Sequence, residues 1–221
     1  TGYTPAELDY FLGDAKPRIV VTSNAAAEAI TPIAARIVAV LMTLDGDESG
    51  SLAEAAMQHE GPFTAVSRGS EDLAAILYTS GTTGRSKGAK LCHRNLRSNA
   101  EVLREYWRFT ADDTLLHMLP IYHTHGLFVA GNLLAMVGGS MIFLPKFSAD
   151  VALEWLPKAT SMMGVPTFYT RLLDHEGFTA EASSHMRLFI SGSAPLLAET
   201  HRQFEELTGK AILELAMRLC Q

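Results

Sequence analysis

The 221-residue chain reads as an α/β protein, with layered sheets and helices packed on their faces. Three observations carry that expectation. Short apolar runs rich in β-branched residues alternate with longer amphipathic stretches, the pattern of strands joined by covering helices. The runs are short and continuously apolar, as in parallel strands buried on both sides. Hydrophobic residues make up 48% of the chain and charged residues 19%, the balance of an ordinary globular protein.

Taken in order, the candidate strands are RIVV (18–21), AAILYT (74–79), TLLHMLP (114–120), SMIFLP (140–145), SMMGV (161–165) and RLFIS (187–191). Candidate helices lie between them, near 25–36, 93–107, 126–137, 149–158, 167–175 and 197–208. The stretch from Asn95 to Trp107 places Leu96, Ala100, Leu103 and Trp107 close to helical spacing. Residues 45–70 hold Gly46, Gly50, Gly61, Pro62 and Gly69 and read as a variable connection with one short helix (51–58). GAKLC, after the glycine-rich stretch at 78–88, reads as another short strand.

Several function classes drop out on composition. No apolar run approaches the roughly 20 residues of a membrane-spanning helix. The N-terminus, TGYTPAELDYFLGDAKP, lacks the basic-then-apolar layout of a secretory signal and lacks an initiator Met, as in a chain that begins inside a longer protein. Two distant cysteines, Cys92 and Cys220, give no disulfide framework and suit a cytoplasmic setting. A net charge of −6 argues against a nucleic-acid surface. Small-molecule chemistry is the expectation that remains.

YTSGTTGRSKG, residues 78–88, begins where an apolar strand ends. Gly81 and Gly84 permit positive φ, so backbone N–H groups can converge on one point beside Ser and Thr hydroxyls. Lys87 adds a full positive charge suited to phosphate. The spacing is neither that of a Walker A loop nor that of a Rossmann turn. A phosphate loop and a plain surface turn both fit these residues.

Three further stretches carry candidate chemistry. LPIYHTHGLF (119–128) sets His123 and His125 two residues apart. With no cysteine or carboxylate nearby they read as ordinary polar histidines before they read as a metal site. GVPTFYTRLL (164–173) is a strand end followed by a helix start, with Pro166 suited to an early helical position. Arg171 on that helix fits an exposed charge on an amphipathic face. SGSAPL (191–196) is a strand-to-helix turn whose small residues would let a planar base approach the backbone, with Ser193 able to cap.

The undecapeptide 78–88 resembles the signature phosphate loop of the adenylate-forming enzymes: acyl-CoA synthetases, peptide-synthetase adenylation domains and luciferases. The resemblance implies that Thr79, Ser80, Gly81, Thr82, Thr83, Gly84 and Lys87 hold the β- and γ-phosphates of ATP. LPIYHTHGLF is similar to a second motif of that family. It implies a catalytic His123 at the mouth of the acyl and pantetheine tunnel and a His125 facing the acyl pocket. GVPTFYTRLL is similar to the matching segment of malonyl-CoA synthetases, where an arginine, here Arg171, meets the distal carboxylate of a dicarboxylic acid. A planar guanidinium pairs both carboxylate oxygens at once. By the same resemblance Gly192, Ser193, Ala194 and Pro195 line the adenine and acyl pocket, with Ser193 near the substrate carboxylate.

The resemblance covers Leu73 to about Glu214 and extends weakly upstream, through a helix-then-strand region at YTPAELDYFLGDAKPRIVV. Its closest subgroup is the bacterial malonyl-CoA synthetases. It implies that residues 1–221 are an incomplete N-terminal adenylation (AMP-binding) domain, part of the large N-terminal domain of such an enzyme. The start of that domain and the whole C-terminal domain would then lie outside the chain. After Glu214 the family continues R-Y-G-M-T-E, whereas this chain has Leu215, Ala216, Met217 and Arg218 and ends at Gln221. Arg218 is out of register and replaces none of the motif.

The implied reaction is AMP-forming acid–thiol ligation with ATP, Mg2+ and coenzyme A. Malonate or methylmalonate attacks the α-phosphorus, and the coenzyme A thiol then displaces AMP. The implied partners are small molecules, with no nucleic acid and no membrane span. With the catalytic lysine and magnesium-binding glutamate of the family missing, the chain alone is expected to show little or no turnover. A ligase for monocarboxylic fatty acids and a non-catalytic remnant are the alternatives.

Overall fold

The computed structural model describes residues 3–59, 61–79 and 86–215. The chain divides into two compact units, Thr1–Leu91 and Cys92–Gln221.

In the first unit α1 (Pro5–Ala15) starts on a capping box. The Glu7 N–H donates to Thr4 Oγ1 at 3.3 Å and the Thr4 N–H donates to Glu7 Oε2 at 2.8 Å, which satisfies two otherwise unpaired donors of the helix start. Next come β1 (Ile19–Thr22), α2 (Asn24–Arg36), β2 (Val40–Thr43) and α3 (Ser51–Met57). β1 and β2 pair in parallel, Ile19 opposite Val40 through Thr22 opposite Thr43. The sequence reading assigned no strand to Val40–Thr43, because IVAVLMT directly continues an apolar helix with no turn residue to divide them. β3 (Leu73–Thr79) and β4 (Lys87–Cys92) form a second two-stranded sheet. An aromatic cluster of Tyr3, Tyr10, Phe11 and Tyr78 ties α1 to β3.

The second unit is a doubly wound sheet. Its elements run α4 (His93–Trp107), β5 (Thr114–His117), a π-helical stretch (His125–Gly131), α5 (Asn132–Val137), β6 (Ser140–Phe143), α6 (Ala149–Trp155), a 3₁₀ turn (Leu156–Lys158), β7 (Ser161–Gly164), α7 (Pro166–Leu173), β8 (Leu188–Gly192), α8 (Ala198–Thr208) and β9 (Ile212–Leu215). The strand order is β6-β5-β7-β8-β9, with every pair parallel. Leu116, Met162, Phe189 and Ile212 point to one face, into a core completed by Leu156, Tyr169, Leu172 and Phe204. Leu115, Met163 and Ile190 point to the other, against Leu103, Trp107, Val129 and Leu133. The α4 stripe expected from spacing is the buried one, at Ala100, Leu103 and Trp107. The layered α/β architecture is that expected from the sequence.

Asp113 locks the amino ends of these strands. It is 4% exposed and accepts from the Thr110 N–H at 2.9 Å, Thr160 Oγ1 at 2.7 Å, and Arg187 Nε and Nη2 at 3.1 and 2.9 Å. Burial opposes its charge, but the Thr110, Thr160 and Arg187 contacts outweigh burial and hold the carboxyl below the usual range. Asp113→Ala strips four contacts and leaves Arg187 without its anion. The Arg187 side chain is 39% exposed, so water takes over part of its solvation, and the expected loss is about 2–3 kcal/mol by urea unfolding at pH 7. Asp113→Asn should lose less, since its amide oxygen still accepts. Equal losses for the two variants would show that a neutral acceptor contributes nothing here and that the charge carries the whole effect.

Candidate functional site

From β5 the chain passes to β6 on one side and then returns past β5 to β7 on the other. In open α/β sheets, the crevice outside the carboxyl ends at such a reversal is where ligands bind. The segments leaving β5, β7 and β8 there are the ones that carry the expected site residues of this unit.

His117 ends β5 and is fully buried, its ring stacked on Phe143 at 5.3 Å. Neither ring nitrogen has a hydrogen-bond partner. The chain then turns, with the His123 N–H donating to the Pro120 carbonyl at 3.2 Å and the Leu127 N–H to the His123 carbonyl at 2.9 Å. The sequence suggested an ordinary helix from near Gly126, but the first seven residues wind as a π-helix. Packing explains the requirement at its second residue: a Cβ on Gly126 would stand 2.3 Å from the Pro120 carbonyl oxygen, so only glycine allows the turn to close.

The π-helical winding buries His125, 2% exposed, while His123 stays exposed with its ring 4.9 Å from that of Tyr122. His125 Nδ1 lies 3.3 Å from Ser193 Oγ and its Nε2 has no partner. Gly192, the last residue of β8, makes room for the ring, since a Cβ there would approach His125 Cε1 to 2.8 Å. Ser193 follows at φ +70°, a left-handed conformation costly for a residue with a Cβ and often retained at functional sites. Gly192 is buried, whereas Ser193, Ala194 and Pro195 are exposed.

Arg171 lies in the last turn of α7 with its guanidinium 4.8 Å above the Phe147 ring, which stacks on Phe168 at 4.1 Å. Among the described residues it makes no ion pair, so its charge is free for a ligand. In the first unit Thr79 closes β3 and Lys87, exposed, opens β4. Ser80, Gly81, Thr82, Thr83 and Gly84 lie outside the described residues. Both flanks of that loop are held by α1. The Tyr10 hydroxyl donates to the Ser86 carbonyl at 2.9 Å, and the Tyr78 hydroxyl donates to Asp14 Oδ2 at 2.5 Å. Burial, then the Asp14 hydrogen bond and charge, push the Tyr78 hydroxyl up to about 12. Among the described residues no group of three or more His, Cys, Asp or Glu side chains is placed to hold a metal ion, and no helix is long and apolar enough to cross a membrane.

The structure therefore brings His125, Gly192 and Ser193 together and shows His123 and Arg171 as exposed side chains. The contribution of His117 was not foreseen; its one signal is a polar residue inside the apolar run TLLHMLP. The α1 contacts to the loop flanks had no sequence signal at all.

Comparison with known proteins agrees with this architecture. The AMP-binding enzyme family matches residues 1–215, and the chain belongs to it. Mouse mitochondrial malonate–CoA ligase ACSF3 is 35% identical over 228 residues, covering 95% of this chain and 38% of that protein. The crystal structure of apo MatB from Rhodopseudomonas palustris superposes with a TM-score of 0.94 at 58% identity, covering 97% of this chain and 42% of MatB. A malonyl-CoA ligase in a ternary product complex with methylmalonyl-CoA and AMP superposes at 0.78 and 30% identity, covering 96% of this chain and 44% of that one. The chain thus spans about two fifths of the length of these relatives.

The buried histidines predict how the fold responds to acid. Burial, reinforced by the charge of His117, pushes His125 down to about 4 from an ordinary 6.5, and burial lowers His117 as well. Below pH 6.5 the unfolded chain takes up protons that the folded chain refuses, so stability falls as pH drops towards 4. At 1.36 kcal/mol per unit, His125 alone contributes a loss of about 3 kcal/mol over that window. Urea midpoints at pH 7 and 4.5 read the effect, and His125→Phe should flatten the difference between them.

Proposed function

We propose that this chain is the nucleotide- and acid-holding part of an AMP-forming ligase joining malonate or methylmalonate to coenzyme A. The observation that carries the reading is Arg171, a guanidinium over the Phe147 ring with no ion pair among the described residues, in a chain 58% identical to MatB. A short diacid has a second carboxylate that needs a cation with fork geometry. The names of the mouse ligase and of the methylmalonyl-CoA complex point to the same acids.

In this reading Thr79 to Gly84 and Lys87 grip the β- and γ-phosphates, and Gly192 to Pro195 receive the adenine. Arg171 takes the distal carboxylate, while Ser193 and His125 face the reacting one. His123, exposed at the turn after β5, orients first the acid and then the thiol. One carboxylate oxygen attacks the α-phosphorus and pyrophosphate leaves with the bond broken. The thiol sulfur then attacks the acyl carbon, giving the thioester and AMP. The protein's contribution is to place two anions side by side and to stabilise developing charge, which amide donors and cations do without proton transfer. Mg2+ would accompany the nucleotide phosphates. Two cysteines far apart in the sequence, together with the composition, support a cytoplasmic setting. The chain by itself turns over slowly or not at all.

The test is ATP–pyrophosphate exchange with malonate, methylmalonate and octanoate. It uses this chain alone and a fusion in which the chain replaces the matching segment of Rhodopseudomonas palustris MatB. Malonate-dependent exchange in the fusion only is the expected result. Arg171→Leu in the fusion should lower exchange with malonate about 100-fold, the size of a lost charge-assisted hydrogen-bonded contact to a carboxylate, without lowering that with octanoate. Exchange with octanoate but not malonate would overturn the reading in favour of a monocarboxylic-acid ligase, for which the Phe147–Phe168 stack would be the floor. No exchange by the fusion with any acid would mark a non-catalytic remnant.

A further inference from the structure

Arg171 meets the rest of the fold through a relay of aromatic rings that begins at the end of β7. Phe168 and Arg171 stand three residues apart on α7, neighbouring positions on one helix face. Gly164, the last residue of β7, leaves the space into which Phe168 settles: a Cβ there would stand 3.0 Å from Phe168 Cδ2 and 3.3 Å from its Cβ. Phe147 arrives from the connection between β6 and α6. It lies flat against Phe168, ring centroids 4.1 Å apart and planes 10° from parallel. The Arg171 guanidinium lies over the Phe147 ring at 4.8 Å. The backbones that carry these groups are held by the core. Tyr169, fully buried, donates its hydroxyl to the Ile190 carbonyl at 2.5 Å, and Leu172 is buried as completely. Ala149 and Ala152 seat the start of α6 in the same core. With α6 and α7 fixed, the freedom that remains is that of the arginine side chain, which is among the most flexible. Among the described residues no carboxylate holds it, so the Phe147 face is what confines it.

We propose that Phe147 and Phe168 are positioning residues for Arg171, pinning its guanidinium at one distance from the carboxyl end of β7 and so setting the length of dicarboxylic acid that the chain selects, a role that rests on the proposed acid-binding reading. A carboxylate pairs with the guanidinium fork only within narrow limits of distance and angle. A guanidinium held in place therefore meets the distal carboxylate of acids of one length. An arginine free to swing would follow acids of several lengths, and would lose its rotamer freedom each time it bound one. An aromatic face suits the task better than a carboxylate, because it attracts the cation and leaves the N–H groups uncommitted. An aliphatic side chain of similar bulk would fill the same space but carries no quadrupole to hold the charge.

Proton spectra of nitrogen-15 arginine-labelled chain read the placement without turnover. The Arg171 Nε–H signal, assigned by its loss in Arg171→Leu, is expected upfield of an ordinary arginine because of the Phe147 ring current. Phe147→Leu should abolish that shift, and Phe147→Tyr, which keeps the ring face, should retain it. An unshifted signal in the unaltered chain, or a shift that survives Phe147→Leu with the fold intact by circular dichroism, overturns the proposal. If Phe147→Leu does not fold, the unaltered chain and Phe147→Tyr still decide the placement. Length selection is read in the MatB fusion by ATP–pyrophosphate exchange with malonate and with succinate, which is one methylene longer. Phe147→Leu should raise KM for malonate about tenfold, the size of a cation–π contact together with the ordering of one arginine. The rise for succinate should be smaller, KM for ATP should not change, and Phe147→Tyr should restore the preference for malonate. Equal rises for the two acids, or a matching rise for ATP, overturn a role in length selection. Malonate exchange that is lost in Arg171→Leu but untouched by Phe147→Leu overturns this inference alone and leaves the acid-binding role standing. Malonate exchange indifferent to Arg171→Leu, or no exchange with any acid, sinks the acid-binding role and the length selection with it.

Discussion

The Asp113 carboxylate is the contact on which the second unit's order depends. Its side chain joins Thr160, just before β7, to Arg187, just before β8, while its carbonyl accepts the N–H of Ser140 at the start of β6 at 2.9 Å. Four parallel strands thus begin from one hub. Arg187 also donates to the Trp107 carbonyl at 2.9 Å and lies 5.2 Å from the Phe109 ring, which extends the hub to the end of α4. Parallel strands need long crossovers, and each crossover must re-enter the sheet at a defined level. A hydrogen-bonded carboxylate sets that level in a way that apolar contacts, being non-directional, do not.

Fixing the amino ends leaves irregular backbone to collect at the carboxyl ends. The π-helical stretch, the close approach of Gly126 to Pro120, the left-handed Ser193 and the tight fit of His125 over Gly192 all lie there. Each is locally costlier than the regular alternative, and π-helical winding in particular is frequent at functional sites. None of them is isolated: Gly126 shapes the turn that buries His125, and Gly192 admits the ring that touches Ser193. The registry supplied by Asp113 and the large apolar cores on both faces are what sustain these local costs.

The sequence made the larger pattern legible and the smaller devices invisible. Alternating strand and helix patterns predicted the layered fold, because burial on both faces forces short, wholly apolar strands. β2 was missed where Val40–Thr43 continues an apolar helix without a breaker. The π-helical winding could not be read, since HGLFVAG has the same apolar face in either winding and only the contact with Pro120 distinguishes them. The phosphate loop is the opposite case: its residues speak clearly in sequence, while Ser80 to Gly84 lie outside the described structure. His125 was assigned from resemblance as a pocket residue, and its contact with Ser193 depends on chain reversal across 68 residues, which no local pattern encodes.

Burial also decides what kind of electrostatics the second unit can offer an anion. A histidine cation beside a carboxylate would be the simplest partner, but His125 is held at about 4 by burial and by His117, so near neutral pH it acts only as a dipole. Formal positive charge must then come from a side chain that keeps its proton regardless of environment. Arg171 meets that condition, and the aromatic face of Phe147 beneath it orients the guanidinium without neutralising it. An ion pair in the same place would have satisfied the arginine and cancelled its attraction for a ligand. In the proposed reading, the hydroxyl of Ser193 beside a neutral His125 would discriminate geometry and the Arg171 guanidinium would discriminate charge. For an acid carrying two carboxylates in different roles, one reacting and one merely held, that separation of tasks is what selectivity requires.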